Sequence, residues 1–313
     1  MNAVMNPSAL APGKPLISVS MNGFNSARYL HEAIDSVLAQ TCTDWELVFW
    51  DNCSTDNSRA IVESYGDPRI RFFCAPHPMS LAAGRNAVIE QCRGTWIAFL
   101  DCDDRWLPEK LARQLERLAQ SDQTDVGLIY TRTRSFSERG DEGETTYRYT
   151  GRPLPEGSIL GALLAEGNLI PIVSAMVSRL AIASVGPIPE NITFAEDYWL
   201  FTAIADRYKV LCVQNACSLY RIHADSATYS NKLASHREAL EVLEHWGDRL
   251  EPCKLARRRA EYHTLIGIER ICLKGQFLAG LREIIFQGSI PFLLRGTATT
   301  LFRRLIKRQR PYS

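Results

Sequence analysis

Four apolar runs of strand length, each followed by a segment of helical period, constrain this chain more than any other feature. Leu16–Ser20, Trp45–Trp50, Ile70–Phe73 and Thr95–Leu100 read as buried strands. Between them, Leu30, Ile34, Val37 and Leu38 fall on one helical face, with Asn25 or Ser26 placed to cap it. A second helix runs from Asp56 to Tyr65 and stops at Gly66-Asp67-Pro68; a third runs from Ser80 to Gln91 and is closed by Gly94. Pro108 opens a fourth, with Leu111, Leu115 and Leu118 inward, and Val126–Tyr130 makes another strand. Parallel strands need long crossovers, which helices supply. The alternation therefore predicts an α/β fold, a mostly parallel sheet flanked by helices on both faces.

Past Tyr130 the pattern changes. Thr131–Pro155 is polar and Gly-rich and reads as a hairpin or loop. Ser158–Glu166 and Phe194–Ala205 read as helices, Val173–Val177 and Lys209–Tyr220 as strands. From about Ser230 helical periodicity runs to the end, and Arg282, Arg295, Arg303, Arg304, Lys307, Arg308 and Arg310 make the last stretch basic. The expected organisation is a loose arm over 1–15, a sheet domain over 16–229 divided near 130, and a helical region over 230–313. A net charge of +1 gives no argument for nucleic acid. The nine cysteines are scattered with no CxxC pair, which argues against structural zinc and for reduced thiols in a cytosol-like compartment. The N-terminus lacks a signal-peptide layout, and the longest apolar stretch, Ile284–Phe302, is broken by Gln287, Gly288, Pro291 and Arg295.

Chemistry concentrates just past the strands. Asp101-Cys102-Asp103-Asp104 follows the apolar run Trp96–Leu100. Carboxylates crowded at a strand's carboxyl end repel each other, and a cation relieves that repulsion. The carboxyl edge of an open α/β sheet is also where ligands bind. The plainer alternative is a solvated turn whose acids favour the N-terminus of the next helix. Asp51 to Asp56, after the second strand, offers acceptors for a base or ribose, although Asp56 equally suits a helix cap. Glu196-Asp197 at a helix start offers a general base or, more simply, complements the helix dipole. His223 after the last strand is a candidate ligand, Arg221 beside it a candidate phosphate partner, and Arg85 of Gly84-Arg85-Asn86 either points to phosphates or lies on the helix surface.

In this order the segments resemble the family-2 nucleotide-sugar glycosyltransferases of GT-A fold. The resemblance rests on Ile17–Asn25, Leu30 to Thr41, Glu46-Leu47-Val48 with Asp51–Asp56, Gly84-Arg85-Asn86, Phe99–Asp104 with Trp106 and Pro108, Glu196-Asp197, and Tyr220–His223 with Ser226. It spans about Leu16 to Thr228 and leaves out the helical C-terminus. It implies that Asn22, Phe24, Asn25, Asp51, Asn52, Arg85, Asp101 and Asp103 bind the nucleotide. It implies that Asp103, Asp104 and His223 hold Mn2+ or Mg2+, and that Asp197, with Glu196, is the catalytic acid pair. Asn168 and Trp199 are the expected acceptor contacts. The implied reaction is inverting transfer from a nucleoside-diphosphate sugar to a hydroxyl of a glycan or lipid-linked acceptor. The expected place is the cytoplasm. The basic C-terminal helices, outside the resemblance, suit either the anionic inner face of the membrane or a solvated helical face with internal packing. Asn22-Gly23 replaces the more usual Pro-Thr, and Asn52 stands where a second Asp is common, which leaves the base open.

Other classes fit less well. A haloacid-dehalogenase-type phosphotransferase would want Thr or Val soon after its second Asp, whereas Asp104-Arg105-Trp106 follows here. A nucleotidyltransferase would want a cation in the first turn, and a dinucleotide oxidoreductase a GxGxxG tract; neither is present. A sugar-nucleotide-binding module without turnover is the non-enzyme alternative, and the joint presence of Asp103, Asp104 and Asp197 argues against it.

Overall fold

The computed structural model describes residues 14–122, 125–137, 140, 143–144, 149–223, 231–272 and 276–288. The chain divides into two compact units, Met1–Leu160 with Asn168–Ala224, and Gly161–Gly167 with Asp225–Ser313.

The first unit carries the sheet. Its strands are β1 (Ile17–Gly23), β2 (Trp45–Asp51), β3 (Ile70–Cys74), β4 (Trp96–Phe99), β5 (Arg105–Trp106), β6 (Val126–Phe136), β7 (Gly143–Glu144), β8 (Met176–Ser178) and β9 (Lys209–Arg221). They lie in the order β3-β2-β1-β4-β8-β6-β9-β5, with β7 on β6. Strands β3, β2, β1 and β4 are parallel neighbours, β6 runs parallel to β9, and β8 is antiparallel to both β4 and β6. This is the expected mixed, mostly parallel sheet. Helices α1 (Ala27–Leu38), α2 (Ser58–Ser64), α3 (Leu81–Gln91) and α4 (Lys110–Ala119) make the crossovers of the first half; α6 (Arg179–Val185) and α7 (Glu196–Arg207) follow in the second. Leu30, Ala33, Ile34 and Val37 of α1 share one buried apolar cluster with Val19, Met21, Leu47 and Phe49 of the sheet.

Chain order doubles back at β1, because β2 and β3 add on one side and β4 on the other. Both β1 and β4 end at the same edge. In open α/β sheets this reversal opens a crevice, and the Asp101–Asp104 turn sits on its lip.

Several local expectations change. Neither Asn25 nor Ser26 caps α1 through its side chain. Asp56 serves two helix starts instead, accepting from the Ala27 N–H of α1 at 2.9 Å and the Ser58 N–H of α2 at 3.0 Å. Gly94 lies beyond the helix end at Cys92. A Cβ there would stand 2.5 Å from the Ser18 nitrogen, so glycine is required by the approach of two backbones. The strand expected over Val173–Val177 is a 3₁₀ turn, Ile172–Ser174, followed by β8. Most of the expected loop's start is strand, since β6 continues to Phe136 alongside β9. Ser80 caps α3 as expected, accepting from the Ala83 N–H at 3.2 Å.

The second unit is helical, with α5 (Leu160–Glu166), α8 (Lys232–His245), α9 (Pro252–Cys272) and α10 (Phe277–Phe286). Helices α9 and α10 meet at Gly267 and Gly280; a Cβ on Gly280 would stand 2.5 Å from the Gly267 carbonyl oxygen. Most of the expected N-terminal arm, the span around Thr228 and the basic run after Gly288 lie outside the described residues.

Candidate active site

The carboxyl ends of β1, β2 and β4 converge on two turns. Asn25 and Cys53 are the only described non-glycine residues with positive φ, at 51° and 63°. Their turns are stitched together, with the Asn25 N–H donating to Ser54 Oγ at 2.8 Å and Asn25 Oδ1 accepting from the Thr55 N–H at 2.8 Å. Such strain persists where surrounding bonds over-determine it, and it concentrates at ligand sites. Phe24 stands 58% exposed at the tip. Asp51 is buried, with Oδ2 accepting from the Ser54 N–H at 3.1 Å. Asn52 does not offer its amide freely: Oδ1 accepts from the Met79 N–H at 2.8 Å and Nδ2 donates to the Met79 carbonyl at 2.9 Å. Through both bonds it shapes the loop by pinning the Met79 backbone.

Arg85 is the hub of the acids. It is 1% exposed and neither reaches for solvent nor lies on the helix surface. Its Nη2 donates to Glu196 Oε1 at 3.1 Å and to Asp101 Oδ1 at 3.3 Å. The guanidinium thus ties the acid turn after β4 to the start of α7. Glu196 is buried and committed to Arg85. Asp197, half-buried beside it, accepts from Asn168 Nδ2 at 2.8 Å through Oδ2 and from the Tyr198 N–H at 2.7 Å through Oδ1. Burial pushes both carboxyls up while Arg85 pulls them down; Asp197 ends at about 6. Burial likewise raises Asp101 against the pull of Arg85. Trp199 lies half-buried on the first turn of α7.

The acid turn splits by direction. Asp103 faces His223, whose Nε2 lies 2.8 Å from its Oδ2. Asp104 turns inward at 1% exposure, and its Oδ1 accepts from the Arg221 N–H at 2.8 Å. Burial holds its carboxyl well above the usual range. Oδ1 thus docks β9 onto the turn, while Oδ2 stays without a partner. Arg221 completes that joint. It stacks between Tyr29 and Phe136, 4.2 and 4.4 Å from the ring centres, and donates from Nε to the Asp103 carbonyl at 2.7 Å and from Nη2 to Glu32 at 2.8 Å. It is a scaffold residue, and Glu32 and Tyr29 of α1 are partners that the sequence left unmarked. Asn86 likewise clamps Ile188 through both amide atoms.

Among the described residues no three His, Cys, Asp or Glu side chains already form a ligand group. Buried polar atoms without a partner do gather on this edge: Asn22 Oδ1, Asp51 Oδ1, Arg85 Nε and Nη1, Asp104 Oδ2 and His223 Nδ1. Buried polar groups in native proteins are nearly always paired, so this concentration marks where a polar ligand belongs.

Residues 18–166 match the model of the family described as "Glycosyl transferase family 2". WfgD of Escherichia coli, a UDP-Glc:alpha-D-GlcNAc-diphosphoundecaprenol beta-1,3-glucosyltransferase, is 26% identical over 73% of this chain and 85% of its own length. Residues 18–166, just under half of the chain, are thus a glycosyltransferase family 2 match. TuaG of Bacillus subtilis, named for teichuronic acid biosynthesis, is 39% identical over 33% of this chain and 42% of its own, so the match takes in less than half of that relative. Among solved structures, Staphylococcus aureus TarS 1–349 in complex with UDP-GlcNAc superimposes with a TM-score of 0.64 at 17% identity, over 86% of this chain and 78% of that one. The mannosyltransferase PcManGT of Pyrobaculum calidifontis, in complex with GDP-Man and Mn2+, gives 0.61 at 17%, over 97% and 84%. At such identities the likeness is one of fold, and the fold is the GT-A-like arrangement of this family.

Proposed function

We propose that this chain transfers a sugar from a nucleoside-diphosphate sugar to an acceptor hydroxyl in one inverting displacement, with Asp197 as general base. One observation carries the reading: Arg85 gathers Asp101, of the acid turn, and Glu196, next to Asp197, around a single guanidinium. The raised, half-buried carboxylate of Asp197, next in the chain to Glu196, supports this reading, as do the unpaired polar atoms of Arg85 itself. A base near neutral pKa is ionised at physiological pH yet still accepts a proton as the hydroxyl attacks. Asn168 and the Tyr198 N–H orient its two oxygens.

Asp103 and His223 fit a divalent cation. They already touch, and they supply one hard oxygen and one imidazole. Mg2+ and Mn2+ sites commonly take one or two protein ligands and complete the shell with phosphate oxygens and water. Bound there, such an ion neutralises charge on a departing diphosphate. Phe24, Asn22 and Asp51 line the end of the crevice where the nucleoside fits, Phe24 by its exposed ring and the other two by unpaired oxygens. The acceptor class we propose is a glycan or lipid-linked glycan; the lipid-linked substrate in the name of WfgD supports it.

The test incubates the purified chain with Mn2+ or Mg2+, a panel of nucleotide sugars and lipid-linked glycan acceptors, and measures nucleoside diphosphate release. Metal-dependent release is expected, with Asp197→Asn leaving donor binding near wild type and lowering kcat by roughly 10²–10⁴. Equal loss of donor binding and rate would remove Asp197 from the base role.

A further inference from the structure

Two thiols meet beside the Asp51 turn. Strands β2 and β3 run parallel and put Cys74 opposite Asp51, and the Ala75 N–H then donates to the Asp51 carbonyl at 2.8 Å. Cys53 follows two residues after Asp51, in the left-handed turn conformation. Its thiol donates to the Ala75 carbonyl at 3.3 Å, and the Cys74 thiol donates to the same oxygen at 3.5 Å. The two sulfurs therefore stand at most 6.8 Å apart, the sum of those contacts. A Cys74 thiolate would accept from the Cys53 backbone N–H. Cys74 is exposed and Cys53 half-buried, whereas Cys92, Cys102, Cys212 and Cys217 are buried. Cys42 packs against the core, and Cys253 and Cys272 belong to the helical unit.

A disulfide needs about 2.05 Å between its sulfurs. Closing one here takes a rotation of the two side chains and a shift of the Cys53 turn toward β3. That shift reaches the crevice. The Cys74 sulfur also stands 3.7 Å from Asp51 Oδ2, and oxidation removes its proton as a donor to that oxygen. The same Oδ2 accepts from the Ser54 N–H, and Ser54 and Thr55 hold Asn25, the neighbour of Phe24. A displaced Cys53 thus pulls on Asp51 and on the turn that carries Phe24. Partial burial and, next, the Asp51 carboxylate raise the Cys74 thiol. A disfavoured thiolate is slow to form the bridge and, as a poorer leaving group, slow to be released from it.

We propose that Cys53 and Cys74 are a modification site, a thiol pair that a small-molecule disulfide converts into a reversible intrachain bridge, weakening nucleotide binding beside Asp51. The effect on binding rests on the nucleoside placement proposed above; the bridge does not. The Cys74 thiolate attacks the small disulfide and expels one thiolate. The Cys53 thiolate then attacks the mixed disulfide at Cys74 and expels the second. Two S–H bonds and one S–S bond break, one S–S bond and two S–H bonds form, and the two electrons given up by the chain reduce the small disulfide to two thiols. By linkage, saturating nucleotide shifts the balance back toward the dithiol by the same factor that the bridge weakens binding.

The test incubates the full, reduced chain with glutathione disulfide and maps its thiols by mass spectrometry of an unreduced digest. UDP and GDP binding with Mg2+ is measured by calorimetry before and after. A Cys53–Cys74 bridge is expected, opened again by dithiothreitol. Nucleotide affinity in the bridged chain should be lower by at least about tenfold, the size of one lost hydrogen bond to a charged group. Cys74→Ser and Cys53→Ser should each form no bridge and make binding indifferent to the oxidant. Cys74→Ser, at an exposed strand end, serves alone if Cys53→Ser fails to fold. Glutathione retained on Cys74 alone, or a bridge through any other cysteine, overturns the pair. A Cys53–Cys74 bridge with unchanged affinity overturns its effect on binding. A reduced chain that binds neither nucleotide would instead fail the nucleoside placement, and the mapped bridge would stand.

Discussion

Replacing Arg85 by Met tests the centre of the site. The guanidinium stands 3.1 Å from Glu196 and 3.3 Å from Asp101, and the Arg85 and Glu196 side chains are 1% and 6% exposed. At an effective dielectric of about 20, opposite charges at this range attract by about 5 kcal/mol. Asp101 is half-buried and recovers water when the cation is lost, so it contributes little to the change. Glu196 has no such escape. Breaking a buried pair from one side costs about 3–5 kcal/mol, because the remaining charge stays desolvated; the methylenes of Met offset a small part. Arg85→Met is therefore expected to lose about 3 kcal/mol at pH 8.5. The loss shrinks on acidification. A folded-state carboxyl raised above its unfolded value binds its proton more tightly than the unfolded chain does, so stability falls as pH climbs from about 4.5 through the folded value. Removing Arg85 raises that folded value further and widens the gap at high pH. Urea unfolding at pH 5 and pH 8.5 reads this directly, and Glu196→Gln in the same background should restore most of the loss as a coupling of at least about 1.5 kcal/mol. Additive single effects, or a deficit independent of pH, would refute the pairing and with it the placement of Asp197.

Three further outcomes follow from the same geometry. With Asp197 at about 6, kcat should rise with pH through about pH 6, and Arg85→Met should move that limb upward; a profile flat from pH 5 to 8 would exclude Asp197 as the titrating base. Lys110 is fully buried over Trp106 with Gln114 Oε1 its hydrogen-bond acceptor, and burial lowers its ammonium from 10.5 to about 7. The unfolded chain then holds the extra proton between those values, so stability rises with pH across that window. Lys110→Met should stabilise by about 2–4 kcal/mol at pH 6 and lose that advantage near pH 10; a variant no more stable than wild type at pH 6 would mean the ammonium is not desolvated. Gly94→Ala should cost about 3 kcal/mol, because the new methyl meets the Ser18 and Ile17 backbone, whereas Gly161→Ala, with open space around it, should be neutral or slightly stabilising in thermal melts.

Much of the sheet was legible because apolar runs and their crossovers follow a local rule. Strands β1 to β4 and helix α3, with its Ser80 cap, lie within a few residues of where periodicity puts them. The short strand β5 escaped notice because two residues carry no period, and β8 was displaced because the run Ile170–Val177 is apolar in a 3₁₀ turn and a strand alike. In the site, Asp101, Asp103 and Asp197 could be singled out as acids after a strand or at a helix start. Which way each points could not. Asp104 adjoins Asp103 yet faces the interior, and Lys110 takes an interior position that composition assigns to the surface.

The α/β alternation, the acid turn after β4 and the likeness to nucleotide-sugar transferases could be read along the chain, since each depends on neighbours a few positions apart. Packing in three dimensions set the rest: Arg85 binds Glu196 across 111 positions, Arg221 locks the acid turn from 118 positions away, and Asp56 starts two helices. Those choices belong to side chains that must be desolvated together, and the partner that makes desolvation tolerable is found only once the strands have brought it there.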